Sequence, residues 1–404
     1  MAGRPGTPFE VLLAFLRLGL TSFGGPVAHL GYFRSELVER RGWVSEQDYA
    51  EIVGLCQFLP GPASSQAGFA LGLLRAGPIG ALAAWAGFTL PSALFMLLCA
   101  DLAGGLAASP LGHGLLHGLR LAAVAVVAGA VLGMARSLCP DRPRAAIAMA
   151  AMLATAAAPA GVAQMVAIFL GAAAGLLLCR GTGAPRDAIP IVQPVSAPAG
   201  ARCLGLFLAL LVLPPVLAAQ RPEAVPQGLR LFEAFSRAGA LVFGGGHVVL
   251  PLLHDAVVAP GWVPEDRFLA GYGLVQAVPG PLFSFAAYLG AVAWPGSGGL
   301  QGATIALLAI FLPGLLLVAG TLPFWNWLRA RPAARAAVQG ANAAVVGLLA
   351  MALYDPLWTS TILRPADFIV AVAGFLLLTM WQVPPLAVVA LGAASGAALS
   401  LHTG

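Results

Sequence analysis

Three stretches of this chain carry no charged side chain over lengths that a water-exposed protein does not sustain. No Asp, Glu, Lys or Arg falls between Arg267 and Arg329, between Arg144 and Arg180, or from Asp367 to the last residue. A helix needs about 20 apolar residues to cross a bilayer, so each stretch holds one span or more. Shorter clean runs occupy 76–100, 121–135, 203–220, 238–254 and 336–354. Charged residues make up 9% of the 404 and hydrophobic residues 59%, where a soluble chain carries roughly 25% charged residues. The expected fold class is an all-α polytopic membrane protein with about 10–12 transmembrane segments.

The same composition narrows the function classes. The net charge of +5 is spread over loops and not gathered into a basic tract, so no nucleic acid is expected as a partner. Arg17 interrupts the first apolar run and no small-residue cleavage site follows, so this segment reads as a membrane element and not a signal peptide. All 21 basic residues are Arg. Without lysine no Walker phosphate loop exists, and transport has to draw on an ion gradient, the membrane potential or the substrate's own gradient. Cys56, Cys99, Cys139, Cys179 and Cys203 form no C-x-x-C pair, and they read as buried thiols. His113 and His117 stand at helical spacing, but Gly114 occupies the place where a zinc protease needs Glu. No metal, cofactor or catalytic residue is expected, and the chain does not read as an enzyme.

Self-similarity carries the most information. Phe15, Arg17, Gly19, Phe23, Gly24, Gly25 and Leu30 recur as Phe235, Arg237, Gly239, Phe243, Gly244, Gly245 and Leu250. Gly42-Trp43-Val44 returns as Gly261-Trp262-Val263, and Gln57 with Pro60-Gly61-Pro62 returns as Gln276 with Pro279-Gly280-Pro281. Ser65 falls on Ser284, and Leu90-Pro91 on Leu312-Pro313. Two halves follow, placed at 1–200 and 201–404. Arg34, Arg40 and Arg41 load one loop of the first half, while Arg329, Arg331 and Arg335 load a non-equivalent loop of the second. Under the positive-inside rule, equivalent loops lie on opposite faces, so the halves are expected to form an inverted repeat.

The motifs place Gly and Pro inside apolar helices. Pro removes a donor and clashes with the preceding turn, so Phe23-Gly24-Gly25-Pro26 and Leu59-Pro60-Gly61-Pro62 should interrupt their helices. Either these are packing kinks, or they are the split helices on which secondary transporters build a site; occurrence in both halves favours the second. A helix starting at a break aims free N–H groups and about half a positive charge at the gap, which suits an anion. Such starts follow Pro26, Pro62, Gly246 and Pro281.

Arg17 and Arg237 lie two turns before the Gly-Gly breaks, where a planar fork of donors would match an oxyanion. The structural alternative pairs Arg17 with Glu10 or Glu51, or lets it snorkel to an interface. Ser22, Gln57, Ser64, Ser65, Gln66, Gln276 and Ser284 add neutral donors that serve either a tetrahedral anion or a neighbouring helix. His29, His247 and His254 adjoin the first and third breaks, as titratable groups or as interfacial packing.

With these motifs in hand, the chain resembles the chromate transporter family in its long form with two homologous halves. The resemblance rests on Ser22-Phe23-Gly24-Gly25-Pro26 and on the run from Cys56 to Gln66. In the second half it rests on Phe243 to Pro251 and on Gln276 to Pro281. It implies efflux of chromate from a bacterial cytoplasm across the inner membrane, conferring resistance, with sulfate as a related oxyanion. In the family pattern an acid directly precedes the pair Val257-Val258, whereas here Ala256 does and the acid is Asp255. The substrate site is expected at Arg17, Ser22, Gly24, Gly25, Gln57, Pro60, Gly61, Pro62, Ser64, Ser65, Arg237, Gly244, Gly245, His247, Gln276, Pro279, Gly280, Pro281 and Ser284. The expected partners are a chromate or sulfate oxyanion and the lipid bilayer, with a homodimer as an open assembly.

Overall fold

A computed structural model describes residues 6–106, 110–157, 162–179, 195–220, 226–243, 246–295, 299–329 and 331–403. The described residues form helices joined by short turns, with no strand among them. The first copy opens with α1 (Pro8–Thr21), α2 (Gly25–Phe33), a π-helical turn (Arg34–Arg40), α3 (Glu46–Phe58) and the kinked α4 (Ala63–Leu106). Then come α5 (Pro110–Leu138), α6 (Arg142–Ala157), α7 (Val162–Leu178) and α8 (Ala197–Gln220). The second copy runs through α9 (Gln227–Ala240), a 3-10 turn (Gly246–Val248) leading into α10 (Val249–Leu253), a π-helical turn (His254–Val258) and α11 (Glu265–Val275). It continues with a 3-10 turn (Leu282–Ser284), α12 (Phe285–Ala293), α13 (Leu300–Thr321), the short α14 (Trp325–Arg329) and α15 (Pro332–Ala352). A π-helical turn (Leu353–Trp358), α16 (Thr359–Thr361), α17 (Pro365–Thr379) and α18 (Pro385–Thr403) complete it.

The order of elements repeats along with the motifs. Both copies pass into a π-helical turn at equivalent positions, Arg34 and His254. Where α4 kinks at Ala76 and Gly77, the second copy divides into α12 and α13. Local chemistry sets the helix starts. Thr7 caps α1 by accepting from the Glu10 N–H ahead of Pro8, and Ser45 caps α3 by accepting from the Asp48 N–H. Asp141 opens α6 by accepting from the Arg144 N–H at 3.0 Å and from its guanidinium. Those bonds hold the Asp141 carboxyl below the usual carboxylate range.

Packing interleaves the copies. Within each copy the first helix lies on the proline-containing one, α1 on α4 and α9 on α13. Pro91 and Pro313 lack the N–H that would bond the carbonyl one turn back. Gly19 and Gly239 sit on the backbone next to those turns: a methyl on Gly19 would lie 2.7 Å from Gly87 O, and one on Gly239 would collide with Ile310 O. Across the copies, α5 packs on α17 and α18, while α15 packs on α6 and α7. Small residues bring these backbones together, Gly114 and Gly118 against Gly392 and Gly396, and Gly171 and Gly175 against Gly340.

Among the described residues, five segments are long and apolar enough to cross a membrane: Ala63–Asp101, Leu111–Leu138, Ala197–Pro214, Leu300–Leu328 and Pro332–Thr361. Five shorter apolar helices accompany them. Ile79, Leu94, Leu177, Leu208 and Ile369 all point outward from the bundle. Water would not tolerate that girdle, whereas lipid tails match it.

The close approach of α5 and α18 makes a paired test. A methyl on Gly118 would meet Gly392 O at 2.1 Å, whereas one on Gly133, in the same helix, would meet nothing within 4 Å. Gly118→Ala should cost about 1–3 kcal/mol through overpacking. Gly133→Ala should leave the protein at least as stable as the wild type, because Ala is the better helix former. Thermal unfolding of the two variants in detergent measures the difference.

Candidate functional site

The Gly/Pro segments of the two copies meet at one place in the interior. After α1 the chain turns at Ser22, passes through Gly24 and Gly25 with positive φ of 97° and 80°, and restarts as α2. After α3 it turns at Leu59, passes Gly61 with φ 126° and restarts as α4 at Ala63. In the second copy α9 ends at Ala240, and Gly280 carries φ 102° ahead of the turn at Leu282. Gly244 and Gly245 lie outside the described residues.

Two backbone hydrogen bonds join these segments reciprocally. Gly61 N–H donates to Val242 O at 2.6 Å, and Gly280 N–H donates to Ser22 O at 3.0 Å. The motif offsets make Gly61 equivalent to Gly280 and Ser22 equivalent to Val242, so the same bond is made twice, once in each direction. The packing is reciprocal as well. A methyl on Gly61 would lie 3.2 Å from Gly314 Cα on α13, and one on Gly280 would lie 2.9 Å from Ser92 Oγ and 3.2 Å from Phe88 O on α4. Gly246 faces Pro26 of the first copy, and Pro62 seats against Gly314. All four interruptions therefore touch across the two copies.

The crossing holds several buried polar side-chain atoms without a partner, the Gln66 Oε1 acceptor among them. Ser22, Ser65, Thr89 and Ser284 are buried, and their hydroxyls have no hydrogen-bond partner. Gln276 stands beside the Tyr272 hydroxyl, which also lies 2.8 Å from His247 Nδ1. Gln66 spends its Nε2 on Pro60 O at 2.9 Å and Gly314 O at 3.0 Å, tying the break of one copy to the proline helix of the other. No side chain caps the starts of α2, of α12 or of the turn at Leu282. Buried polar groups are ordinarily satisfied, so a cluster of left-over hydroxyls at one place calls for an explanation. What it can do chemically is accept a compact anion.

The remaining predicted residues fall elsewhere. Gln57 is on the exposed face of α3. Ser64 Oγ lies 3.4 Å from His29 Nδ1, and His247 Nδ1 lies 2.8 Å from the Tyr272 hydroxyl. Pro279 and Pro281 flank Gly280 within the fourth interruption. Arg17 is exposed on α1, and among the described residues it forms no ion pair. Glu10 is taken by Arg75 at 3.2 Å and by the Trp43 indole, and Glu51 accepts the Trp325 indole N–H. Arg237 pairs with Glu233 at 3.1 Å and lines a small cavity with Gln164 and Asp255.

The family model for chromate transporters matches residues 9–176 and 229–397, the two copies. The chain belongs to the chromate transporter family. It is 30% identical to a chromate transport protein of Pseudomonas aeruginosa over 86% of this chain and 80% of that one. It is also 30% identical to a probable chromate transport protein of Synechococcus elongatus, over 84% and 82% of the two chains. A chromate transport protein of Cupriavidus metallidurans is 28% identical over 84% of this chain and 80% of that one. No solved structure matches.

This family member also carries features the motifs do not announce. Phe88 and Ser92 reach the crossing from the middle of α4, with the unpartnered Thr89 hydroxyl in the same turn, and Gly314 reaches it from α13. The signal available in the sequence was Pro91 and Pro313, each beside one of these residues. The departure at Asp255 has a structural place too. Gln164 Nε2 donates to its carboxylate, and Asp255 lines a cavity of about 340 Å³ with His254 and Asp355. His117, weighed as a metal ligand, instead binds Asp367 at 2.8 Å.

Proposed function

We propose that the chain is a secondary transporter that exports chromate across a bacterial inner membrane, holding the oxyanion where the four interruptions cross. The observation that carries this reading is the reciprocal pair of backbone bonds, Gly61 to Val242 and Gly280 to Ser22, surrounded by unpartnered buried hydroxyls. Interrupted helices at matching positions of two repeats mark the substrate site of many secondary transporters. Here the helix starts supply positive dipole ends, and Ser22, Ser65, Thr89, Gln276 and Ser284 supply donors for a tetrahedral anion. The two halves, 1–200 and 201–404, act as an inverted repeat of 10–12 crossings in all, and they rock about the crossing so that it opens alternately to each face. Arg17 and Arg237 lie outside the crossing at equivalent positions of the two copies, and under inversion each draws the anion inward from one membrane face.

A dianion leaving a negative-inside cell gains about 2.3 kcal/mol per charge per 100 mV, so outward movement needs no ATP. In everted vesicles, labelled chromate should accumulate when an inside-positive potential is imposed, and should stop accumulating when the potential is collapsed. Accumulation of sulfate without chromate would transfer the reading to sulfate as the cargo. Accumulation of neither would reject transport by this site. The relatives' names favour chromate over sulfate, since each describes chromate transport.

A further inference from the structure

Among the described residues, no unpaired arginine is placed at the crossing. Arg17 points away from it and Arg237 is held by Glu233. A dianion placed there would meet only dipoles, and roughly half a charge per helix start does not neutralise it once water is excluded. One titratable side chain is built into the crossing itself. His29 is 1% exposed, one turn into the helix that restarts after the first interruption. Its Nδ1 lies 3.4 Å from the Ser64 hydroxyl, at the start of α4. The ring stands edge-on to Phe88 at 5.2 Å, and it is within hydrogen-bonding reach of the Ser22 backbone. Ser22 O is the acceptor of the Gly280 bond, and Phe88 O is the backbone against which Gly280 packs. His29 therefore contacts, within the first copy, the two residues on which Gly280 of the second copy docks. The equivalent position in the second copy is Val249, so this group occurs once per transporter.

From this placement we infer that His29 is the proton-binding residue of the site: oxyanion and proton are taken up together, the proton on the His29 imidazole. The inference rests on the anion-binding reading given above. Among the described residues, the other charged groups around α2 are paired or lie away from this contact. The π-helical turn carries Arg34, Glu36, Glu39 and Arg40; Arg34 is held by Glu39 and Glu46, and Glu36 by Arg40 and Arg41. On α4 the charged groups are Arg75, paired with Glu10, and Asp101 near the far end. From α3, Tyr49 gives its hydroxyl to Leu30 O, Glu46 is held by Arg34, Asp48 accepts from the Ser45 hydroxyl, Glu51 accepts the Trp325 indole N–H, and Cys56 is a buried thiol. The second copy brings His247, which is engaged with Tyr272. A cycle that moves a dianion with one proton transfers one negative charge, so the potential still drives export.

The test is proton uptake on binding to the purified full-length protein, by titration calorimetry in buffers of different ionisation enthalpy. The probes are sulfate and chromate, between about pH 6 and 8. Chromate takes up protons of its own near neutrality, so the readout is the difference between wild type and His29→Gln with the same anion. Gln keeps a donor and loses the titration. The wild type should take up one proton more per bound anion than the variant, and its affinity should fall up to about tenfold per pH unit in a way the variant's does not. Equal proton uptake in the two proteins overturns the inference while leaving anion binding intact. Failure of the wild type to bind either anion overturns the reading beneath it as well. If the Gln variant folds but does not bind, His247→Gln decides. Retained proton uptake there supports His29, and lost uptake assigns the proton to His247 and refutes the proposal.

Discussion

Gly280→Ala and Gly61→Ala are each expected to reduce chromate transport by at least an order of magnitude and to lower the unfolding temperature in detergent. Two costs add at each position. The backbone sits at φ 102° in Gly280 and 126° in Gly61, where an L side chain is strained by about 1–3 kcal/mol. The added methyl would also press on the other copy, on Ser92 Oγ at 2.9 Å for Gly280, and on Gln66 Nε2 at 2.7 Å and Gly314 Cα at 3.2 Å for Gly61. Relieving that pressure parts the reciprocal bonds to Ser22 and Val242. Gly25→Ala separates the two costs, because its φ is 80° but nothing lies within 4 Å of the added carbon. It should show the strain alone, with a smaller fall in stability. Wild-type transport and melting in both Gly61→Ala and Gly280→Ala would mean that the two copies do not dock through these loops.

The interruptions were readable in the sequence because Gly and Pro act locally: their effect on a helix depends on φ and on a missing N–H, not on distant partners. Their mutual contact was not readable. A repeat says which residues are equivalent, but the docking of Gly61 on Gly314 and of Gly280 on Ser92 is a tertiary choice that no local propensity encodes. The placement of Arg17 shows a different limit. Its apolar neighbours suggest membrane depth, yet depth along a helix says nothing of azimuth. Val11, Ala14, Phe15, Leu18 and Gly19 form the buried stripe at three- and four-residue spacing, and position 17 falls off it. Helical periodicity alone would have put Arg17 on the outer face. Phe88 and Ser92 were marked only by the neighbouring Pro91, and it is Gly280 of the second copy that shows this turn of α4 facing the junction.

Removing the left-over hydroxyls should move stability and transport in opposite directions. Ser22, Ser65, Thr89 and Ser284 are buried with no partner, so each is a polar group desolvated without compensation. Ser22→Ala, Ser65→Ala, Ser284→Ala and Thr89→Val delete that group while nearly preserving shape, and each should leave melting unchanged or raise it by up to about 1 kcal/mol of stability. If the hydroxyls donate to an oxyanion, the same variants forfeit a hydrogen bond to a charged group, worth about 1.5–3 kcal/mol, or about 10- to 100-fold in anion affinity. Ser92 provides the contrast, because its hydroxyl donates to Thr89 O at 2.9 Å within α4. Ser92→Ala loses a bond already made, so it should lower stability without a matching gain. Functional sites retain groups that folding alone would discard, and stabilised variants that transport poorly are the signature of such a site. Variants that melt below the wild type and still transport chromate at its rate would show these hydroxyls to be packing elements, and would move the search for the substrate away from the crossing.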